Sequence, residues 1–259
     1  MFHNEVEQVA QAAAGKVRFL KTNPGGYFLA SVLAGMFIGF GVLFSFTIAS
    51  LSDLSLTKLV MGMSFACALS FVVMAGAELF TGNNFVMAMG YMKKTVSGGE
   101  LLKLWLICFL GNWAGGIFLA WIFFHTGLAN EAFLQVIAPA AAAKVSVPFF
   151  PLLLRGALCN MLVCLAVWCS MKLKSEAGKL IMIFWALSLF FTVGFEHSVA
   201  NMTLLTLDAL APHTAMTAGA YMYNLLTVTL GNMLGGVFLV AIPYALIGKK
   251  NSISSSDEG

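Results

Sequence analysis

Leu110-Gly111-Asn112-Trp113-Ala114-Gly115-Gly116-Ile117-Phe118-Leu119 returns 120 residues later as Leu230-Gly231-Asn232-Met233-Leu234-Gly235-Gly236-Val237-Phe238-Leu239. A second pair stands at nearly the same offset: Gly76-Ala77-Glu78-Leu79-Phe80-Thr81-Gly82-Asn83 and Gly194-Phe195-Glu196-His197-Ser198-Val199-Ala200-Asn201. The chain is therefore two homologous halves. Each half holds three apolar stretches, and an odd number of crossings forces the second half into the membrane from the opposite side. Inverted repeats about a pseudo-twofold axis in the membrane plane follow, an architecture that places a transport path at the repeat interface. The glycines Gly115, Gly116, Gly235 and Gly236 read as packing positions, because small residues let helix backbones approach within lipid.

The six stretches fall at about 27–51, 58–91, 101–126, 148–171, 180–207 and 218–247, each near or above the roughly 20 apolar residues that cross a hydrocarbon core. Of the 259 residues, 60% are hydrophobic and 10% charged, against roughly 25% charged in a soluble domain. A soluble fold is excluded, and the short connections leave no room for a catalytic domain. The expected organisation is a cytoplasmic amphipathic helix over 1–26, a channel domain over 27–247 with repeats 27–126 and 148–247, and a cytoplasmic tail over 248–259. Residues 1–26 carry Glu5 and Glu7 and lack the apolar core of a signal peptide. Val6, Val9, Ala10, Ala13, Val17 and Leu20 recur at helical spacing, which predicts a helix lying on the bilayer surface, the alternative being a frayed tail. The five cysteines all lie within spans without a Cys-x-x-Cys pair, so neither a disulfide framework nor a metal site is expected. No cofactor is expected, and the net charge of +3 needs no nucleic-acid partner.

Orientation follows from the cations, which are retained in the cytoplasm near span ends. Lys16, Arg18, Lys21, Lys93, Lys94, Lys103, Lys172, Lys174, Lys179, Lys249 and Lys250 share the side of both termini, eleven of the fourteen Lys and Arg residues, while Lys58, Lys144 and Arg155 fall opposite. Both termini are expected in the cytoplasm.

Residues 59–92 form an apolar run of 34 residues, which as a straight helix would measure about 51 Å. Gly82, Asn83 and Asn84 in its middle favour a break, and broken backbone at membrane depth is tolerated only inside protein or along a water-filled cavity. The ionisable residues within the spans are essentially Glu78, Glu196 and His197, and all three lie in the repeated segment. Intramembrane ionisable groups point to function. The two glutamates are expected to stabilise the loops by accepting hydrogen bonds from backbone N–H groups freed at the breaks. His197, replaced by Leu79 in the first half, is the one span residue whose ordinary titration lies near neutrality, so it is the candidate for proton exchange.

At these residues the sequence resembles the formate–nitrite transporter family. The resemblance covers about 20–247 and rests on Asn23-Pro24, on Ala75-Gly76-Ala77-Glu78-Leu79-Phe80-Thr81-Gly82-Asn83-Asn84, on Arg155-Gly156-Ala157-Leu158-Cys159-Asn160 and on Glu196-His197-Ser198-Val199-Ala200-Asn201-Met202. It implies an all-α, aquaporin-like membrane protein of six transmembrane helices with helices 2 and 5 interrupted. It further implies a homopentamer in a bacterial-type inner membrane, each protomer passing formate, nitrite, hydrosulfide or a similar anion. The 155–168 and 194–207 stretches look most like the nitrite branch, with the hydrosulfide branch next. Carried over to this numbering, it implies that Thr81 hydrogen-bonds to His197 and forms a cytoplasmic constriction with Leu69, Leu79 and Ala200. It also implies an outer constriction of Phe65, Val163 and Phe190, path hydrogen bonds from Asn160 and Asn201, an attracting cation at Lys144 and a basic position at Lys16.

A bare anion crosses apolar rings only at high desolvation cost, whereas protonation removes most of it. The expected partners are thus a small inorganic or carboxylate anion, protons and the lipid bilayer. Two other readings stay open: a pore for small neutral solutes, although paired Asn-Pro-Ala loops are missing, and a proton-coupled carrier with alternating access. An intramembrane enzyme is not expected, since no His-Glu-x-x-His or Gly-x-Ser-x-Gly motif accompanies Glu196 and His197.

Overall fold

The computed structural model describes residues 2–52, 55–212 and 214–249. Of the expected tail over 248–259, everything from Lys250 onward lies outside the described residues. The helices are α1 (His3–Thr22), α2 (Pro24–Ser50), α3 (Thr57–Phe65), α4 (Cys67–Ala75), α5 (Phe80–Met92), α6 (Gly98–His125), α7 (Glu131–Val145), α8 (Phe149–Lys172), α9 (Glu176–Val193), α10 (Ser198–Leu210), α11 (Ala218–Leu234) and α12 (Ile242–Ile247). A π-helical turn, Gly235–Ala241, joins α11 to α12 without a break in direction. Among the described residues there is no strand, and six helical stretches are long and apolar enough to cross a membrane. The chain is a multi-pass, all-α membrane protein.

Local chemistry sets the helix ends. Asn23 caps α2 by accepting the Gly26 amide at 2.9 Å ahead of Pro24, a residue suited to a first helical turn. Ser97 and Glu100 cap α6 reciprocally. Gly76 and Gly194 end α4 and α9 with φ of 77° and 95°, a left-handed conformation that glycine adopts without a Cβ clash. Each of these two glycines opens a short extended segment: 76–79 before α5, and 194–197 before α10. The second span is thus broken as expected, but at 76–79, with Gly82, Asn83 and Asn84 inside α5, and it is broken again at Ala66 between α3 and α4.

Close backbone approach holds the halves together. A Cβ on Gly115 would lie 2.0 Å from the Val32 carbonyl oxygen of α2, and one on Gly235 would lie 2.0 Å from that of Ala157 in α8. The apolar stripe of α1 is not on a bilayer surface. Val6, Val9, Ala10 and Ala13 are fully buried, Ala13 lies against Gly90 of α5, and Thr95 Oγ1 donates to the Ala10 carbonyl at 2.8 Å. Burying the stripe on the protein removes the same apolar surface from water that lipid would. α7, which lies between the expected spans ending at 126 and starting at 148, is a helix capped by Asn130 and burying Phe133, Ile137 and Ala141. It stands in the second half where α1 stands in the first.

Candidate functional site: two cavities at a pair of helix breaks

At each break the backbone loses helical partners in a place without water. The repeated asparagines supply them. Asn112 Oδ1 accepts the Phe80 amide at 2.8 Å, and its Nδ2 donates to the carbonyls of Ser31 and Glu78 at 2.7 and 2.9 Å. Asn232 repeats the pattern, accepting the Ser198 amide at 2.9 Å and donating to Gly156 and Glu196 at 2.8 and 2.9 Å. The amides of Glu78 and Glu196 donate to Ala30 and Arg155. Apart from half-buried Ala30 and exposed Arg155, the residues in this set are buried, and a buried backbone group left unpaired is costly. The sequence reading saw the asparagines only as neighbours of packing glycines. The signal was there, because an asparagine repeated inside an apolar span must be bonded to something.

The glutamate side chains consequently do something other than expected. Instead of accepting freed backbone amides, each accepts a lysine and an asparagine. Lys16 Nζ reaches Glu78 Oε1 and Oε2 at 2.6 and 2.8 Å, and Asn83 Nδ2 and the Tyr27 hydroxyl donate to Oε2. In the second half Lys144 Nζ lies 2.8 Å from Glu196 Oε2, which also accepts Asn201 Nδ2 at 2.7 Å. The lysines arrive from α1 and α7. Each pair cancels its own charge, so neither Lys144 nor Lys16 stands as a free cation.

Two cavities open toward opposite ends of the bundle. The one at the α1 end, about 320 Å³, is lined by Leu69, Val72, Leu79, Gly82, Lys16 and Asn83 among others. The one at the α7 end, about 350 Å³, is lined by Phe190, His197, Ala200, Lys144, Asn201 and Lys58 among others. They correspond position by position under the repeat: Val72 with Phe190, Leu79 with His197, Gly82 with Ala200 and Asn83 with Asn201, all 118 residues apart. Ala200 therefore lies in the α7-end cavity and not with Leu69 and Leu79 at the other end, because it is the inverted equivalent of Gly82.

The two breaks touch through one hydrogen bond. His197 Nε2 and Thr81 Oγ1 are 3.0 Å apart, and both residues are buried. The other ring nitrogen, Nδ1, accepts the Ala200 amide at 3.1 Å and caps α10. An amide always donates, so Nδ1 carries no proton here; neutral His197 is the Nε2–H tautomer and offers that hydrogen to Thr81. Phe190 stacks on the imidazole with centroids 5.8 Å apart and planes 12° from parallel, and Phe65 meets Phe190 edge to face at 5.6 Å. Val163 is buried and lines neither cavity. Asn160 also lines neither: its Nδ2 lies within 3.2 Å of the Thr81 carbonyl, Asn84 Oδ1 and the Asn232 carbonyl. Its place is behind Thr81, tying α8 to α5 and α11.

Comparison with known proteins gives a consistent result. A family profile described as formate/nitrite transporter matches residues 3–246. The nitrite transporter NirC of Salmonella typhimurium is 38% identical over 246 residues, spanning 94% of this chain and 91% of its own. A solved structure described as an FNT family ion channel superposes with a TM-score of 0.90 at 36% identity, covering 94% of this chain and 98% of that one. A pentameric formate channel with formate bound superposes with a TM-score of 0.78 at 28% identity, covering 88% and 98%.

Proposed function

Because the chain belongs to the formate/nitrite transporter family, we propose that each protomer passes a small monovalent anion of a weak acid, nitrite, formate or hydrosulfide, between its two cavities. The observation that carries this reading is the Thr81–His197 hydrogen bond, which joins a residue lining the α7-end cavity to one that lies between Leu79 and Gly82 of the α1-end cavity wall. An anion arriving there gives up water, and Thr81 and His197 offer it a hydroxyl and an imidazole N–H. Desolvation favours the neutral acid over the anion, so passage proceeds with proton exchange at this pair. Neutral His197 offers its Nε2–H to the anion as a hydrogen bond, and it gives up a proton only from the imidazolium, which forms when Nδ1 takes up a proton from water and releases the Ala200 amide. Phe65, Phe190, Leu69 and Leu79 narrow the path and exclude water around the pair, while the two lysine–glutamate pairs hold the breaks in shape. Val163, Asn160, Asn201 and Ala200 complete the walls and their support.

The assembly is a homopentamer in an inner membrane with both termini cytoplasmic. The pentameric formate channel supports the first part, and the eleven cations on the terminal side support the orientation. The deciding experiment is flux into proteoliposomes with nitrite, formate and hydrosulfide side by side. Saturable or channel-like uptake of at least one anion is expected. Passage of glycerol or urea without any anion flux would replace the reading with a neutral-solute pore, and strict proton stoichiometry without current steps would replace it with a carrier.

A further inference from the structure

The cavity at the α7 end has an unbalanced charge, and it is not the lysine that the family resemblance singles out. Lys144 is cancelled by Glu196 at 2.8 Å. Among the described residues, the remaining charged residue in the lining is Lys58, and no aspartate or glutamate lines it. Among the described residues no carboxylate pairs with Lys58, and its side chain is exposed. Its ammonium lies 3.5 Å from where a Cβ on Gly194 would stand, so it hangs over the extended segment that leads to His197. The other cavity is lined by both Lys16 and Glu78 and is neutral.

Folding gives no reason for a lysine at this place. Lys58 sits in the first turn of α3, where a cation opposes the positive end of the helix. Its equivalent in the second half, 118 residues on, is Glu176, an acidic residue in the first turn of α9 and the charge a helix start favours. The exchange of sign costs α3 a little stability and leaves the α7-end cavity with a net positive charge.

We propose that Lys58 is the anion-capture residue of the α7-end cavity, raising the local concentration of small monovalent anions in front of the His197–Thr81 pair. The assignment rests on the transport reading for its purpose, and its test reads the cavity's field directly. A reporter thiol is placed on the cavity wall as Ala49→Cys, with the partly exposed Cys67 and Cys169 replaced by alanine. In full-length protein in liposomes, the rate of modification by an anionic methanethiosulfonate is divided by that for an uncharged one. Lys58→Gln is expected to lower this ratio by about threefold or more at an ionic strength of about 0.01 M, where fields reach roughly 30 Å, and to lose its effect near 1 M, where they reach roughly 3 Å. Lys58→Arg should keep the parent ratio. An unchanged ratio in Lys58→Gln at low ionic strength, or a change that salt does not remove, overturns the assignment whether or not the parent conducts an anion. Failure of the parent to conduct nitrite, formate or hydrosulfide counts against the transport reading alone.

Discussion

His197 donates through Nε2 to the hydroxyl of Thr81 across 3.0 Å, which makes one hydrogen bond the meeting point of the two broken spans. The same ring caps α10 through Nδ1, so its proton chemistry and its helix-capping role can be separated by substitution. His197→Asn retains a good cap, worth about 0.5–2 kcal/mol over a residue that cannot cap, and removes the imidazole. Anion flux in this variant should lose most of its dependence on pH, because no imidazole is left to exchange a proton. His197→Phe should show the same flattening with lower thermal stability. Assembled His197→Asn protein whose flux follows pH as the parent does would leave the proton work to the substrate acid and water.

The Lys144–Glu196 pair should be more sensitive to loss of one partner than of both. Glu196 is nearly buried, so Lys144→Met leaves a carboxylate without its cation at a cost of about 3 kcal/mol or more. Adding Glu196→Gln removes the charge and keeps an oxygen for Asn201. Thermal unfolding in detergent should therefore rank parent, double variant and single variant in that order. A double variant less stable than Lys144→Met would contradict this account of the pair.

Asn112→Leu and Asn232→Leu should each damage the fold well beyond the loss of one side chain. In the first case the Phe80 amide loses its side-chain acceptor and the Glu78 carbonyl loses a donor, and an unpaired buried group costs about 1–3 kcal/mol. Expected is a large drop in the yield of assembled protein or in its melting temperature. Near-parental stability of either variant would show that water replaces the amide.

Selectivity by size should relax at either end. Phe190→Ala removes a ring stacked on His197 and contacting Phe65, whereas Leu79→Ala trims an aliphatic side chain lining the α1-end cavity. Both should raise the flux of larger anions such as acetate or lactate relative to formate, because hydrophobic constrictions act by size and dewetting. Unchanged selectivity in both variants would remove these residues from the barrier.

The spans, their inversion and the existence of a break in the second span were legible because composition and a repeated motif report directly on a bilayer and on helix propensity. What covers an apolar stripe was not. The period over Val6–Leu20 shows that one face of α1 is apolar, and the same period would serve for lipid or for α5. The ion pairs were hidden for a related reason: Lys16 and Glu78 are 62 residues apart and Lys144 and Glu196 are 52 apart, so only the docking of α1 and α7 joins them. α7 itself is short and carries Pro139, which weakens any helical pattern. Asn160 looked like a path residue by resemblance, and its position behind Thr81 depends on the packing of α8 against α5.

Two inverted halves present the same structure to either face of a membrane, and a perfectly symmetric pore cannot rectify. Any preference for inward over outward flow must therefore be encoded where equivalent positions differ. Along the cavities those positions include Val72 against Phe190, Ala77 against Phe195, Leu79 against His197 and Gly82 against Ala200, and in the first turns of α3 and α9 Lys58 stands against Glu176. Exchanging members of these pairs between the halves would turn the direction of flow into a quantity set by a handful of side chains on an otherwise unbiased frame.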